Sequence, residues 1–519
     1  MGILIEEKII MKLNTKNTIF VGFAFLLICM FWQVYDNIIA KILIDSFGLN
    51  QTWSGFVMAL DNIFAIILLP VFGALSDKTK SKHGRRTPYI FIGTILAAVL
   101  IVCVSLFDNM QKTKIKEANI PAVETIEVIK EYESLPSISY FENTKEGNAL
   151  VTKELSDFKK GDKLYRFDNK LYETKELAVD ARNPLVVNVR KSNIGFLIGF
   201  LVVLCLALTA MSVFRTPAVS LMPDVTPKPL RSKANAIINL MGSAGGILAL
   251  GFMTFLAKDY QSYTLTFVVL AVLMIVFLGL FMWKVNEIKL VAEMKRQEEE
   301  YGIETFTETD DVVEEKMPKD VRKSFILILL SIVLWYMAYN AATSKFSVYA
   351  TNVLDTGFTI PLLVAQAAAI ISYIPIGIIS SKFGRKKTVL AGVVILFAAF
   401  VSAIFVDEAH AHIIWVSMAL AGIGWATINV NSYPMVVEMS KGANVGKYTG
   451  IYYTASMAAQ IVTPLLSGVF MDIFGMRAAL FPYCAILSAF AFVTMSFVKH
   501  GDSKPIPTTK LEAFEAMDD

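Results

Sequence analysis

Long apolar runs constrain this chain more than any other feature of its sequence. A hydrocarbon core about 30 Å thick needs ~20 apolar residues per spanning helix. Twelve such runs cover residues 18–40, 53–75, 89–107, 193–214, 234–256, 264–283, 323–343, 358–380, 388–406, 411–433, 446–470 and 477–498. A helix is the structure that satisfies the backbone hydrogen bonds of a single span internally. The sequence therefore predicts an all-α membrane protein with twelve transmembrane helices.

Two polar segments interrupt the series of apolar runs and divide the chain. One lies between the third and fourth runs, and the other between the sixth and seventh. The predicted organisation is helices 1–3 in residues 1–107, an insert in 108–192, helices 4–6 in 193–283, a linker in 284–322, helices 7–12 in 323–498 and a tail in 499–519. The chain thus consists of two six-helix halves with one large insertion in the first.

Local patterns predict secondary structure in both polar segments. Residues 123–132 indicate a helix, whereas 163–167 and 170–174 have strand-like composition on either side of the turn residues Asp168 and Asn169. The insert is therefore expected to be a small α/β or β-rich module. Residues 292–301 indicate a surface helix in the linker.

The distribution of Lys and Arg predicts the orientation of the helices. The loop 76–88 has five basic residues and one acid, and the loop 381–387 has four basic residues and no acid. The loop 407–410, on the opposite side, has two acids and no Lys or Arg. Because basic loops remain in the cytoplasm, we expect both termini and the linker to be cytoplasmic and the insert to be extracytoplasmic.

Composition and motifs exclude several classes of function. The net charge of +3 does not indicate a nucleic-acid partner. The four cysteines lie inside apolar runs without metal-ligand spacing. We find no phosphate-binding glycine loop, no HExxH and no nucleophile elbow. The chain is therefore predicted not to be an enzyme and to hold no metal or resident cofactor. We also expect it to be a monomer.

The two halves carry related loops at equivalent positions. The loop after the second run reads GALSDKTKSKHGRRT from Gly73, and the loop after the eighth reads GIISSKFGRKKT from Gly377. Such loops after spans two and eight of twelve resemble those of the major facilitator superfamily. Residues 70–89 and 215–235 further resemble the glycoside–pentoside–hexuronide:cation symporters, especially their sucrose-transporter-like branch.

The resemblance implies an importer of a di- or oligosaccharide or glycoside, coupled to H⁺ or Na⁺ and working by alternating access in a bacterial inner membrane. Members that use Na⁺ carry two aspartates in span two. Aligned on Pro70 and Gly73, those positions are Ala65 and Leu69 in this chain, neither of which can bind Na⁺. This departure favours H⁺. The insert is not part of the family pattern, and the resemblance implies no partner for it.

Two carboxylates inside apolar runs are candidate functional residues, because a charge in a membrane span is costly. Asp36 shares a helix face with Trp32 and Gln33, where a ring can pack on a sugar while the acid accepts its hydroxyl hydrogens. Asp61 lies about nine residues into the second run and could carry the coupling proton, a role also open to Asp36. The alternatives are an interfacial Asp36 and a structural hydrogen bond of Asp61.

Further polar residues recur at helical spacing in the second half. The candidates for substrate contact there are Tyr336, Tyr339, Asn340, Gln366, Asn429, Tyr452, Ser456 and Gln460. Each has an alternative role in an interhelical hydrogen bond. A cytoplasmic gate of individually weak ion pairs is predicted. Its members are Asp77, Arg85, Arg86, Arg215, Asp224, Arg385 and Glu438.

The leading functional hypothesis is a sugar:H⁺ symporter. Three related alternatives are a passive sugar facilitator, a Na⁺-coupled sugar symporter and an antiporter of organic ions. An alternative of another class is a sugar sensor or receptor that binds its ligand through the insert.

Overall fold

The computed structural model describes residues 13–129, 137–144, 147–154, 163–227, 230–256, 262–300, 318–439 and 445–501. Its long helices form two six-helix halves. The first half contains α1 Thr15–Val34, α2 Gln51–Lys78, α3 Thr87–Glu117, α5 Ile194–Asp224, α6 Arg231–Leu256 and α7 Thr264–Lys284. The second contains α9 Lys319–Asn352, α10 Thr359–Phe383, α11 Arg385–Ile404, α12 Ile414–Glu438, α13 Val445–Phe474 and α14 Met476–Ser496.

These helices confirm the predicted membrane fold. Among the described residues, eleven helices are long and apolar enough to cross a membrane, and α10 supplies a further apolar stretch, Thr359–Tyr373. Several helices are longer than the apolar runs that predicted them. For example, α3 continues to Glu117, ten residues beyond the end of its run, because polar residues prolong the helix outside the apolar layer.

The first transmembrane helix is irregular toward its C-terminal end. After α1, the chain continues through two π-helical turns, Tyr35–Ile39 and Ile42–Ser46. Such turns are frequent at functional sites because they widen the helix and redirect side chains. Asp36 lies in the first of these turns.

The insert is a five-stranded sheet followed by a helix, which confirms the predicted α/β or β-rich module. The strands are β1 Glu127–Ile129, β2 Ser137–Thr144, β3 Gly147–Glu154, β4 Leu164–Phe167 and β5 Lys170–Tyr172, in the spatial order β1-β4-β5-β2-β3. The pairing is antiparallel except between β2 and β5. Asp168 and Asn169 both have positive φ in the tight turn between β4 and β5.

The prediction of a helix at residues 123–132 was wrong. Val123–Thr125 form one 3₁₀ turn and the chain then enters β1, while residues 130–132 lie outside the described ranges. β-branched residues at 123, 126, 128 and 129 favour an extended chain there. The helix of the insert comes later, as α4 Lys175–Ser192, and its N-cap Thr174 accepts the N–H of Leu177.

The linker contains one described helix, α8 Glu287–Glu300, which covers most of the predicted residues 292–301 and begins five residues earlier. Residue 301 lies outside the described part of the chain. The earlier start has a structural cause: Glu287 is buried and accepts hydrogen bonds from the backbone N–H groups of Arg85, Arg86 and Thr87 at the start of α3.

The two halves pack closely at the end of the bundle from which β1–β5 and α4 project, here named the insert end. The opposite end is named the linker end. Near the insert end α2 crosses α13 in direct backbone contact, and a Cβ on Gly55 would lie 2.0 Å from the carbonyl oxygen of Pro464. The backbone N–H of Thr52 donates to Asp472 at 2.9 Å, and Asn352 donates to Asp45 at 2.8 Å. The bundle is therefore closed at the insert end.

Candidate functional site

A cavity of about 220 Å³ lies between the two halves. Helices α2 and α5 and the first transmembrane helix form its wall in the first half, and α9 and α13 form its wall in the second. Its lining residues are Trp32, Asp36, Met58, Asp61, Asn62, Arg215, Asn340, Thr343, Ser344, Gln460 and Pro464.

Three charged side chains share this cavity. Asp36 projects from the π-helical turn, Asp61 from α2 and Arg215 from α5. Arg215 interacts electrostatically with both carboxylates, and its guanidinium lies 5.7 Å from the ring centre of Trp32. Asp61 also accepts a hydrogen bond of 2.7 Å from the amide of Asn62. With both acids ionised this group carries one net negative charge, which one bound proton would neutralise.

Neutral hydrogen-bond donors complete the lining. The amide nitrogen of Asn340 and the indole nitrogen of Trp32 are buried and have no hydrogen-bond partner among the residues that the structure describes. Buried donors normally have partners, since leaving one unsatisfied costs about 1–3 kcal/mol. These two groups therefore provide positions at which a hydroxyl-rich ligand could accept hydrogen bonds.

The structure brings some of the predicted contact residues to this cavity and places others elsewhere. Trp32, Asp36, Asn340 and Gln460 line it, as does Asp61. Gln33 is not among the lining residues of the cavity. Its backbone carbonyl accepts a hydrogen bond from the side-chain amide of Asn37 on the same helix. The amide of Gln366 donates across the interface between the halves, to the carbonyl of Ser243 on α6. Ser456 donates to the carbonyl of Tyr453 within α13.

The remaining predicted contacts belong to an aromatic cluster in the second half. Tyr339 stacks on Trp425 with ring centres 4.1 Å apart, and Tyr336 meets the same ring edge-on at 4.9 Å. The hydroxyls of Tyr336 and Tyr452 lie 3.3 Å apart. Asn429 hydrogen-bonds with Tyr373. Trp425, the centre of this cluster, was not among the predicted residues, although a tryptophan next to Gly424 in a predicted span is a usable signal.

The predicted gate residues of the first half meet at the linker end, with one exception. Arg85 and Arg86 contact Asp224 at 2.7 and 2.8 Å, and Arg86 also pairs with Asp77. Arg215 differs from the prediction because it lines the central cavity and is not part of this cluster. Helix α5 continues to Asp224, so Arg215 lies nine residues before its end.

The two predicted gate residues of the second half are not seen to pair with each other in the described part of the structure. Arg385 begins α11, and the neighbouring Lys386 donates to the carbonyl of Ser496 at 3.0 Å. Glu438 ends α12, but its side chain lies outside the described part of the structure. Glu287, which anchors the linker helix to α3, was not predicted, because its position four residues after the sixth run gave no indication of this contact.

Two family models match the chain. The model described as Major Facilitator Superfamily matches residues 191–427 and 356–516, and the model described as MFS/sugar transport protein matches residues 20–114. Together they cover most of both halves. The second match includes the segments that carry Asp36 and Asp61.

Curated relatives match over short segments. A sucrose transport protein of Arabidopsis thaliana is 30% identical over 61 residues, which are 12% of this chain and 10% of that protein. The uncharacterized symporter YjmB of Bacillus subtilis is 32% identical over 83 residues, 16% of this chain and 17% of that protein. The chain therefore matches less than a fifth of the length of either relative.

Solved structures are similar over nearly the whole chain. The inward-open xylose transporter XylE from E. coli has a TM-score of 0.58 at 13% identity, covering 97% of this chain and 100% of that one. The nucleoside transporter NupG has a TM-score of 0.56 at 12% identity, covering 94% and 100%. At this identity the likeness shows the fold alone.

Proposed function

Because this chain belongs to the Major Facilitator Superfamily, whose members are transporters and not enzymes, we propose that it imports a sugar together with a proton through the central cavity. One observation carries the proposal: two carboxylates and a guanidinium share a cavity formed by both halves. A site between the halves is where alternating access requires the substrate to bind.

The sugar part of the proposal is supported by the match of residues 20–114 to the sugar-transport model and by the name of the Arabidopsis relative. The cavity chemistry agrees with it. Asp36 supplies acceptors, Asn340 supplies a buried donor, and Trp32 supplies an apolar ring face. A sugar presents both hydroxyl hydrogens and C–H faces, so this combination suits it.

The proton part rests on the charge balance of the cavity. A proton on Asp61 leaves Arg215 opposite a single ionised carboxylate, that of Asp36, so the site is neutral when loaded. When both ends close around the bound sugar, a neutral site is shut off from water at lower energetic cost than a charged one. Release of the proton on the other side restores the negative charge, and the site can then bind the next proton. Asp36 is the alternative carrier.

The choice of H⁺ over Na⁺ rests on the two positions of α2 at which the Na⁺-using members of the resembled family carry aspartates. The next turn of α2 presents Ala65, and Leu69 follows one turn later. Neither side chain contains an oxygen, whereas Na⁺, like other hard cations, is held by several oxygen ligands. A single carboxylate is sufficient for a proton.

The predicted orientation assigns a direction to the observed state. With both termini and the linker in the cytoplasm, the insert end faces outward, and the closed insert end corresponds to a site shut off from the outside. The import cycle then consists of opening at the insert end, loading of proton and sugar, closure, and release at the linker end.

The experiment is sugar-induced proton movement in sealed vesicles that contain the purified protein, with a panel of α- and β-linked disaccharides and their monosaccharides. We expect one sugar to make the outside alkaline, and Asp61→Asn to abolish that signal. The control is Asp320→Asn, which removes an exposed carboxylate at the linker end and should leave the signal intact.

Each alternative gives a different result. Equilibration of labelled sugar without proton movement indicates a passive facilitator. Flux that requires Na⁺ indicates a sodium symporter. Binding of a sugar without any flux indicates a receptor. If no sugar binds or moves, the sugar assignment is wrong.

A further inference from the structure

We propose that the insert is a strap across the insert end, fixed to the first half and docked on the second, which stabilises the state that is closed at that end. The proposal rests on the alternating-access part of the proposed function but not on the identity of the substrate. It concerns the described residues of the insert between the end of α3 and the start of α5, a part of the chain for which the family resemblance implies no role.

The strap is fixed to the first half by hydrogen bonds to its backbone. Arg182 donates to the carbonyl of Asp45 in the first half at 3.0 Å, and to that of Pro121 within the insert at 2.6 Å. Arg190 donates to the carbonyls of Phe47 at 2.9 Å and Gly48 at 3.1 Å. Helix α4 is followed by α5 after the single residue 193. The insert therefore moves with the first half.

The same insert contacts the second half at three places. Lys175, which is almost completely buried, pairs with Asp355 after α9 at 2.5 Å. Glu176 accepts the backbone N–H groups of Met476 at 2.6 Å and Arg477 at 3.2 Å, at the start of α14. Lys163 donates to the carbonyl of Glu408 at 3.2 Å. These contacts span the boundary between the halves.

Glu176 has a defined physical role in this contact. The first N–H groups of a helix lack intrahelical partners and carry partial positive charge, so a carboxylate stabilises them. Here the carboxylate comes from the first half of the molecule and the helix from the second. If the halves separate at this end, the N–H groups in the first turn of α14 lose this carboxylate and donate to water instead.

A buried junction joins the insert and both halves at one point. Lys41 is fully buried, and its Nζ lies 3.0 Å from Asp45, 3.0 Å from Glu124 of the insert and 2.6 Å from Thr351 of α9. A buried cation is tolerated only when several partners compensate it. The insert supplies one of the two carboxylates, so it helps to compensate the buried charge where the two halves meet.

These contacts make the strap selective for one state. Rocking of the second half away from the insert end would break the contacts of Lys175, Glu176 and Lys163 together, whereas opening at the linker end leaves them intact. An interaction present in only one of two states shifts the equilibrium toward that state. The strap therefore holds the transporter closed at the insert end until the second half moves.

The test is hydrogen–deuterium exchange of the full-length protein in lipid nanodiscs without substrate. The variants are Lys175→Glu, Asp355→Lys and the double charge reversal. In either single variant we expect exchange in peptides covering 51–58 and 464–474, which form the closed contact of α2 with α13, to accelerate at least tenfold. The double variant restores the attraction, so its exchange should be slower than that of Asp355→Lys and approach the wild-type rate.

Two controls separate strap release from general damage. Arg166→Glu breaks an exposed pair with Glu127 inside the sheet of the insert and should leave exchange at 51–58 unchanged. Asp355 has φ of +51°, so any strain from Lys at this position is common to the single and double variants, and the comparison between them removes it. Peptides from α11 report whether a variant is folded.

Specific outcomes would overturn the proposal. Faster exchange confined to residues 163–192 and the first turn of α14, with no change at 51–58, would show that the insert docks without affecting closure. Failure of the double reversal to slow exchange relative to Asp355→Lys would show that the pair does not join the halves. If a charge reversal does not fold, Asp355→Asn, which suits the left-handed backbone, takes its place and must still accelerate exchange at 51–58. Because no sugar is present, these results are independent of the substrate assignment.

Discussion

Gly55→Ala should hold the insert end open. A Cβ at this position would lie 2.0 Å from the carbonyl oxygen of Pro464 and 2.6 Å from its carbonyl carbon. Both atoms belong to the backbone of α13 and cannot rotate away, so α2 and α13 must separate by about 1 Å at their crossing to relieve the overlap.

The size of the effect follows from the cost of overpacking. An extra methyl group forced into a packed contact costs about 1–3 kcal/mol. This contact forms between the halves, so the cost falls on the state that is closed at the insert end. A shift of 1–3 kcal/mol changes a two-state equilibrium roughly 5- to 150-fold. We expect the ratio of closed to open molecules to fall by a factor in that range.

The assay combines hydrogen exchange at residues 51–58 with sugar uptake into vesicles. Exchange should accelerate and uptake should slow, since each cycle must pass through the closed state. Gly279→Ala is the matched control, because a Cβ there meets no heavy atom within 4 Å. Gly422→Ala is the second, because its Cβ would strike Ala365 within the second half and should lower the melting temperature without selective exchange at 51–58. Equal exchange and uptake in Gly55→Ala and Gly279→Ala would show that the contact of Gly55 with α13 does not determine closure.

The remaining predictions concern three other side chains. Glu287→Gln should lower the unfolding free energy by about 1–3 kcal/mol, because one amide oxygen cannot replace a carboxylate that accepts from three backbone N–H groups. Thermal unfolding measures this, with Glu299→Gln, at an exposed position, as the control. Equal stability of the two variants would contradict the prediction. Burial raises the pKa of Glu176, so the docked strap binds a proton more tightly than the released one and docking should strengthen as pH falls from neutral toward the ordinary carboxyl pKa. Glu176→Gln should remove this pH dependence from exchange at 51–58, after correction for the chemical exchange rate; a dependence that survives would contradict it. Asn340→Ala should weaken sugar binding about 5- to 150-fold, a loss of ~1–3 kcal/mol. Equilibrium binding measures this, and an unchanged affinity would show that Asn340 does not hydrogen-bond to the sugar.

Much of the fold could be predicted from the sequence because the membrane imposes a simple rule on it. Each span must be apolar over about 20 residues, and the twelve runs satisfy that rule with little ambiguity. The carboxylates Asp36 and Asp61 stood out for the same reason, since charges in apolar spans need a cavity or a partner. The cluster of Asp77 and Arg86 was visible as a short polar motif between two runs.

Other features depend on helix lengths and three-dimensional packing, which the apolar pattern does not report. Arg215 sits one residue beyond its predicted run, and the continuation of α5 to Asp224 brings it to the cavity instead of the linker end. Helix α4 is polar on average, so no apolar run reveals it. The burial of Lys41 depends on Glu124, which is 83 positions away along the chain. Pairing over such a distance leaves no local signal.

Proton coupling is measured most directly by the accumulation of the sugar under an imposed pH gradient, in vesicles with the outside acidic. Symport of one proton per sugar predicts uphill accumulation that approaches about tenfold per pH unit, since one unit corresponds to about 1.4 kcal/mol. Asp61→Asn should reduce the inside-to-outside ratio to one. A wild-type ratio that never exceeds one, in vesicles that hold their pH gradient, would contradict proton coupling through this cavity.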